Sequence, residues 1–140
     1  MKTTFRNLLI TSLAFTLTAN AATVVWTNTS GGAWSTAANW SPNQVPGSGD
    51  SAFITNGGTY AVTLSTSISV AGITLGASSG TATQTLAWTG GTLSGCDFAV
   101  ASHGVLAISG SAQKTLIRFT LNNAGTVTWA GTGDLYATVD

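Results

Sequence analysis

The chain has 140 residues, four of them Lys or Arg and four of them Asp, with no Glu, and a formal net charge of zero. A chain so poor in cations has no patch able to neutralise phosphates, which argues against a nucleic-acid partner. Its length suits one domain, and a single cysteine, Cys96, leaves no intramolecular disulfide to hold it.

The first predicted element is an export signal. Lys2 and Arg6 precede the apolar run Leu8 to Leu17, and the small-residue sequence Ala19-Asn20-Ala21 follows. Basic, apolar and A-x-A segments in that order read as a secretory signal peptide over residues 1–21, cleaved after Ala21 or Ala22. The apolar run is far shorter than the ~20 residues of a membrane-spanning helix, so no membrane span is expected in the mature chain. The mature chain keeps Lys114 and Arg118 against Asp50, Asp97, Asp134 and Asp140, a net charge of −2. The expected location is outside the cell or on its surface.

Residues 22–58 form a Trp-, Gly- and Pro-rich segment that contains Trp26, Trp34, Trp40, Pro42 and Pro46. Bulky indoles on stiff turns suit a cap that covers the first exposed coil of a repetitive β structure. Asp50 closes the turn Pro46-Gly47-Ser48-Gly49, where its carboxylate can accept backbone N–H bonds. A second use for Trp34 and Trp40 is a platform on which sugar rings stack, because indoles are amphipathic. Asn28-Thr29-Ser30 and Asn39-Trp40-Ser41 match the N-glycosylation pattern, relevant only in a glycosylating eukaryotic route.

Residues 59–140 read as strands of period two broken by Gly or Asn corners, such as Tyr60 to Leu64, Val105 to Ile108 and Thr126 to Trp129. No helical stripe occurs, so the mature chain is predicted to be all-β. Residues 98–111 align without gaps on residues 119–132, an offset of 21 that places Phe98 on Phe119, Val100 on Leu121, Leu106 on Val127 and Ile108 on Trp129. Leu86, Trp88 and Gly90 form a weaker copy upstream. Such a period predicts a parallel β-solenoid of about 21 residues per coil, with a β-sandwich as the alternative. The alignment also puts Cys96 on Ile117 in the core and Asp97 on Arg118 as an exposed ion pair. His103 lies at a corner beside Gly104, with no second metal ligand near it in sequence.

Catalytic, cofactor-binding and metal-binding residues are all expected to be absent. There is no phosphate loop, no Ser-His-Asp arrangement and no Cys/His pair at metal spacing. Asp50, Asp97 and Asp134 are scattered, which disfavours the Ca²⁺-dependent chemistry of a pectin-lyase-like polysaccharide-degrading enzyme. Trp26, Trp34, Asn39-Trp40, Pro46, Asp50 and the run Val70 to Gly76 together resemble the N-terminal segment of large exported bacterial proteins of the autotransporter-like, haemagglutinin-like β-helix type. That resemblance implies a right-handed parallel β-helix that works as a stiff display or adhesion module and carries no catalytic residue. Polysaccharide or cell-surface ligands are the expected partners. The C-terminal "GTGDLYATVD" is strand-like and has no closing cap, so the chain is expected to continue into a longer one.

Overall fold

The computed structural model describes residues 21–139; the expected signal peptide, apart from Ala21, lies outside them. The fold is a parallel β-solenoid of about four turns with roughly 23 residues per turn. Short strands built on Val, Ile, Leu, Thr and Trp alternate inward and outward side chains, and each lies against its equivalent in the next coil.

Three sheets run along the molecule. The first holds β1 (Thr23–Trp26), β4 (Ser51–Ile54), β7 (Gly72–Leu75), β10 (Asp97–Val100) and β13 (Thr120–Asn123), with β3 (Trp40–Ser41) added antiparallel to β1 at the end. The second stacks β2 (Gly32–Ala33), β5 (Tyr60–Leu64), β8 (Gln84–Trp88), β11 (Gly104–Ile108) and β14 (Thr126–Trp129). The third stacks β6 (Ile68–Ser69), β9 (Gly91–Ser94), β12 (Lys114–Ile117) and β15 (Leu135–Thr138). All pairs but β1–β3 are parallel.

Register turns the alternation into continuous inner columns. Ala52, Ile73, Phe98 and Leu121 form one, and Val62, Leu86, Leu106 and Val127 another. Ile68, Leu93, Leu116 and Ala137 form a third. Each buried aliphatic or aromatic side chain contributes about 1.5 to 3 kcal/mol relative to its exposed state. No disulfide supplements them, because the lone Cys96 is free and buried.

The repeat is less uniform than a 21-residue period. Leu106 does pair with Val127 and Ile108 with Trp129, at the predicted offset of 21, and Leu86 and Trp88 precede them in the same columns. In the first sheet, however, Phe98 pairs with Leu121 and Val100 with Asn123, an offset of 23. The corner between β10 and β11 carries Ala101, Ser102 and His103, whereas Ala124 alone separates Asn123 from Gly125 in the next coil. A two-residue difference in corner length slides the flanking strand by two and preserves which face each side chain occupies. Phe98 therefore remains in the core, its ring meeting Phe119 edge-on at 6.0 Å between centroids. The same slip places Asp97 beside Thr120 and Gly72, so the ion pair expected with Arg118 has no register to support it.

Corners stack as tightly as strands do. Gly76 has φ +93°, and a Cβ there would come within 2.2 Å of the Gly104 backbone N. Both the dihedral and the approach of adjacent coils demand glycine at that corner.

The parallel ladder already begins at Thr23, since β1 pairs with β4 and β2 with β5. The segment 22–58 thus contributes coil strands as well as the indole-rich end, which differs from an expected cap followed by coils only from residue 59. The physical reason is that Val24 and Trp26 point into the same core as the later coils.

Candidate functional site

The tryptophan segment is built from the backbone inward. A 3₁₀ turn, Ala37–Asn39, turns the chain so that β3 runs back along β1, with Trp26 opposite Trp40. Trp40 is the centre of the cluster: its ring meets Trp26 at 5.0 Å and Trp34 at 4.7 Å, both edge-to-face. Its indole N–H donates to the Trp34 carbonyl at 2.8 Å, and that of Trp26 donates to the Asn28 carbonyl at 2.6 Å. Trp34 and Trp40 are each only 1% exposed. Neither offers a free ring face to a sugar, because both faces are spent inside the molecule.

Two asparagines fasten this cluster. Asn39 Nδ2 donates to the Ala33 carbonyl at 3.0 Å, while its Oδ1 accepts from Asn28 Nδ2 at 2.9 Å. Asn28 Nδ2 also donates to the Gly31 carbonyl at 2.7 Å. The amide nitrogens of both glycosylation-pattern asparagines are therefore engaged in the fold.

Asp50 behaves as its turn position predicts. Its Oδ2 accepts from the Gly47 N–H at 2.9 Å and from the Gln44 amide at 3.3 Å, and its Oδ1 accepts from the Ala22 N–H at 2.9 Å. The Gly47 and Ala22 N–H groups hold its carboxyl below the usual carboxylate range, against the opposing cost of burial.

The remaining sequence-predicted groups lie apart. Cys96 is buried, and burial, with the neighbouring Asp97 charge adding to it, pushes its thiol up to about 12. Asp97, Arg118 and Asp134 are exposed on separate strands or corners. His103 stays in its corner, where its backbone N–H donates to Ala77 and its carbonyl accepts from Gln84. Among the described residues no three His, Cys, Asp or Glu side chains gather closely enough to hold a metal ion.

Three features escape sequence reasoning. Gln84 is fully buried and ties two coils, its Nε2 donating to the Gly58 carbonyl at 2.7 Å and its Oε1 accepting from the Ala77 N–H at 2.8 Å. Lys114 is buried in the third sheet, its Nζ donating to the Ala112 carbonyl at 2.8 Å. A shallow outer groove of about 340 Å³ runs over the first sheet, lined by Phe53 and Thr74 on the strands, by Thr55 just past the end of β4, and by Ala77 to Ser79 in the following corner. Phe53 is the one aromatic in this wall, and its outward direction follows from Ala52 and Ile54 pointing in. The unbroken apolar run Ala52-Phe53-Ile54 hides that parity in the sequence.

No protein-family model matches this chain, nor does any curated protein or solved structure. The geometry offers outer columns built mainly of Thr, Ser, Ala and Asn, with Asp97 the charge among them, an indole-packed end, and a groove edged with hydroxyls. No helix among the described residues is long and apolar enough to cross a membrane.

Proposed function

We propose that the chain is a non-catalytic structural or adhesive module of an exported bacterial surface protein, acting as a stiff β-helical display rod. The observation that carries this reading is the continuous stack of three parallel sheets around one apolar interior. At one end β3 covers the edge of β1 and three indoles fill the interior. At the other, Leu121, Val127 and Trp129 continue the columns of Phe98, Leu106 and Ile108 but stand exposed, Trp129 by 54%. Three parallel ladders around one interior resist bending in every direction.

Export enters this reading through the basic, apolar and A-x-A order of the N-terminus, and the surface-protein class through the tryptophan-segment resemblance. The test is to express the chain from residue 1 in a Gram-negative host and to expose the purified product to cells and a panel of insoluble polysaccharides. Appearance outside the cytoplasm, with no release of reducing or unsaturated sugar ends, is expected. Product release from any polysaccharide would overturn the non-catalytic reading.

The groove favours a second reading, carbohydrate contact, at a place other than Trp34 and Trp40. Phe53 supplies an apolar ring surface, and Thr55, Thr74 and Ser78 supply hydroxyls around it. Retention on an insoluble glycan that Phe53→Ala removes, with the fold intact by circular dichroism, is the expected signature. Equal retention of both proteins would exclude the groove.

A further inference from the structure

Asp50 is the only formally charged side chain between residues 22 and 96. It is nonetheless 93% buried, being 7% exposed, and its charge is met by N–H donors alone, with no cation beside it among the described residues. Two of its donors, Gly47 N–H and the Gln44 amide, are local to its own turn. The third comes from across the chain: the backbone nitrogen of Ala22, 2.9 Å from Oδ1. Ala22 packs against the core and its carbonyl accepts from the Ser51 N–H at 2.9 Å, so this nitrogen is held from both sides. Ala21, one residue earlier, is exposed.

We propose that Asp50 is the receptor for a new N-terminus: cleavage of the Ala21–Ala22 peptide bond creates an α-ammonium on Ala22 that forms a buried ion pair with the Asp50 carboxylate. The inference rests on the export reading given above and selects between its two cleavage positions, because cleavage after Ala22 would remove the nitrogen that Asp50 holds. The chemistry is hydrolysis by a signal-type peptidase: water adds across the C–N bond, Ala21 departs with the carboxylate, and the Ala22 amine takes a proton. An amide donor is thereby exchanged for a cationic one, which shortens and strengthens the contact and supplies the missing counter-charge.

Few other groups could compete for the amine. β1, β4, β7 and the 42–49 turn carry no titratable side chain other than Asp50 itself. Asp97 and Cys96 lie two coils away, ~10 Å at the spacing of stacked strands, the first exposed and the second an un-ionised buried thiol. The sign of the pH dependence follows. An amine whose protonated form is paired in the folded state has its pKa raised above the ordinary ~8 of an α-amino group. Its contribution is fully present below pH ~8 and is lost as pH rises through the folded value.

Mass spectrometry of the secreted chain should give Ala22 as the first residue; any other start would overturn the proposal along with its cleavage site. The pairing is then tested separately on chain released from a fusion so that it begins at Ala22. Its α-amine, followed by NMR, should titrate at least about one unit above ~8, and Asp50→Asn should return it to the ordinary value. Should Asp50→Asn fail to fold, a chain that keeps Ala21, and so keeps an amide at Ala22, serves instead: buried Tyr60 lowers the alkaline stability of both, and the Ala22-first chain should lose measurably more between pH 8 and 11. An α-amine titrating near 8 in the unsubstituted chain, or identical alkaline profiles for the two chains, would overturn the pairing even with cleavage at Ala21 confirmed.

Discussion

At the scale of single residues, the side chains that define this protein are those whose polar atoms are satisfied inside it. Trp40 joins two ring contacts and one indole hydrogen bond, so Trp40→Ala should lower stability by about 3 to 5 kcal/mol, as for removal of a buried large aromatic. Denaturant melts measure this, and a change under 0.5 kcal/mol would mean that the indole does not hold the end. Trp34 pairs its indole N–H with no acceptor although it is buried, so its contribution is packing alone. Asp50 has a depressed carboxyl, so its contribution is present above the ordinary carboxylate value near 4 and disappears as pH falls through the lower folded value. Acid unfolding of the native chain should accordingly show a component below pH ~4 that Asp50→Asn lacks, read by circular dichroism against pH. Cys96, with its thiol buried and raised to about 12, should react with a thiol reagent only after denaturation; rapid labelling of the native protein would place it at the surface. The sequence made Asp50 and Cys96 legible, one by its turn and the other by its spacing from Phe98. It could not reveal Lys114 as buried, since a lysine at a strand start reads as solvated until the fold closes over it.

At the scale of elements, strands were easier to read than corners. Leu86, Leu106 and Val127 fall in one column because their sheet keeps offsets of 20 and 21 residues, and a period in sequence becomes a stack in space. Phe98 and Phe119 also look equivalent in the gapless alignment, yet the shorter Ala124 corner slides β13 by two residues and sets Phe98 on Leu121. Corner length is weakly constrained by hydrophobic pattern, so alignment alone could not find it. The groove was hidden for a related reason, since Phe53 lies in an apolar run whose inward and outward positions only pairing decides. Gln84 shows how corners are held, bonding Gly58 in one coil and Ala77 in its own. Gln84→Ala removes two hydrogen bonds to half-buried backbone groups, at about 1 kcal/mol each, and empties a buried position, so it should melt below the native chain, whereas unchanged melting would deny that role.

At the scale of the whole molecule, three parallel ladders around one apolar interior account for a stable fold with few charges and no disulfide. The columns that bury Phe98, Leu106 and Ile108 continue through Leu121, Val127 and Trp129, and three indoles pack the interior beside β1 and β3. A stiff rod is what the display reading requires, and stiffness depends on strands that stack in parallel. The most direct test is a NOESY spectrum of isotopically labelled protein. Parallel stacking predicts interstrand contacts between Ala99 and Asn122 and between Ala107 and Thr128, the 23- and 21-residue offsets in adjacent sheets. Strong Hα–Hα cross-peaks of antiparallel pairing between β10 and β11, or between β11 and β14, would contradict the solenoid.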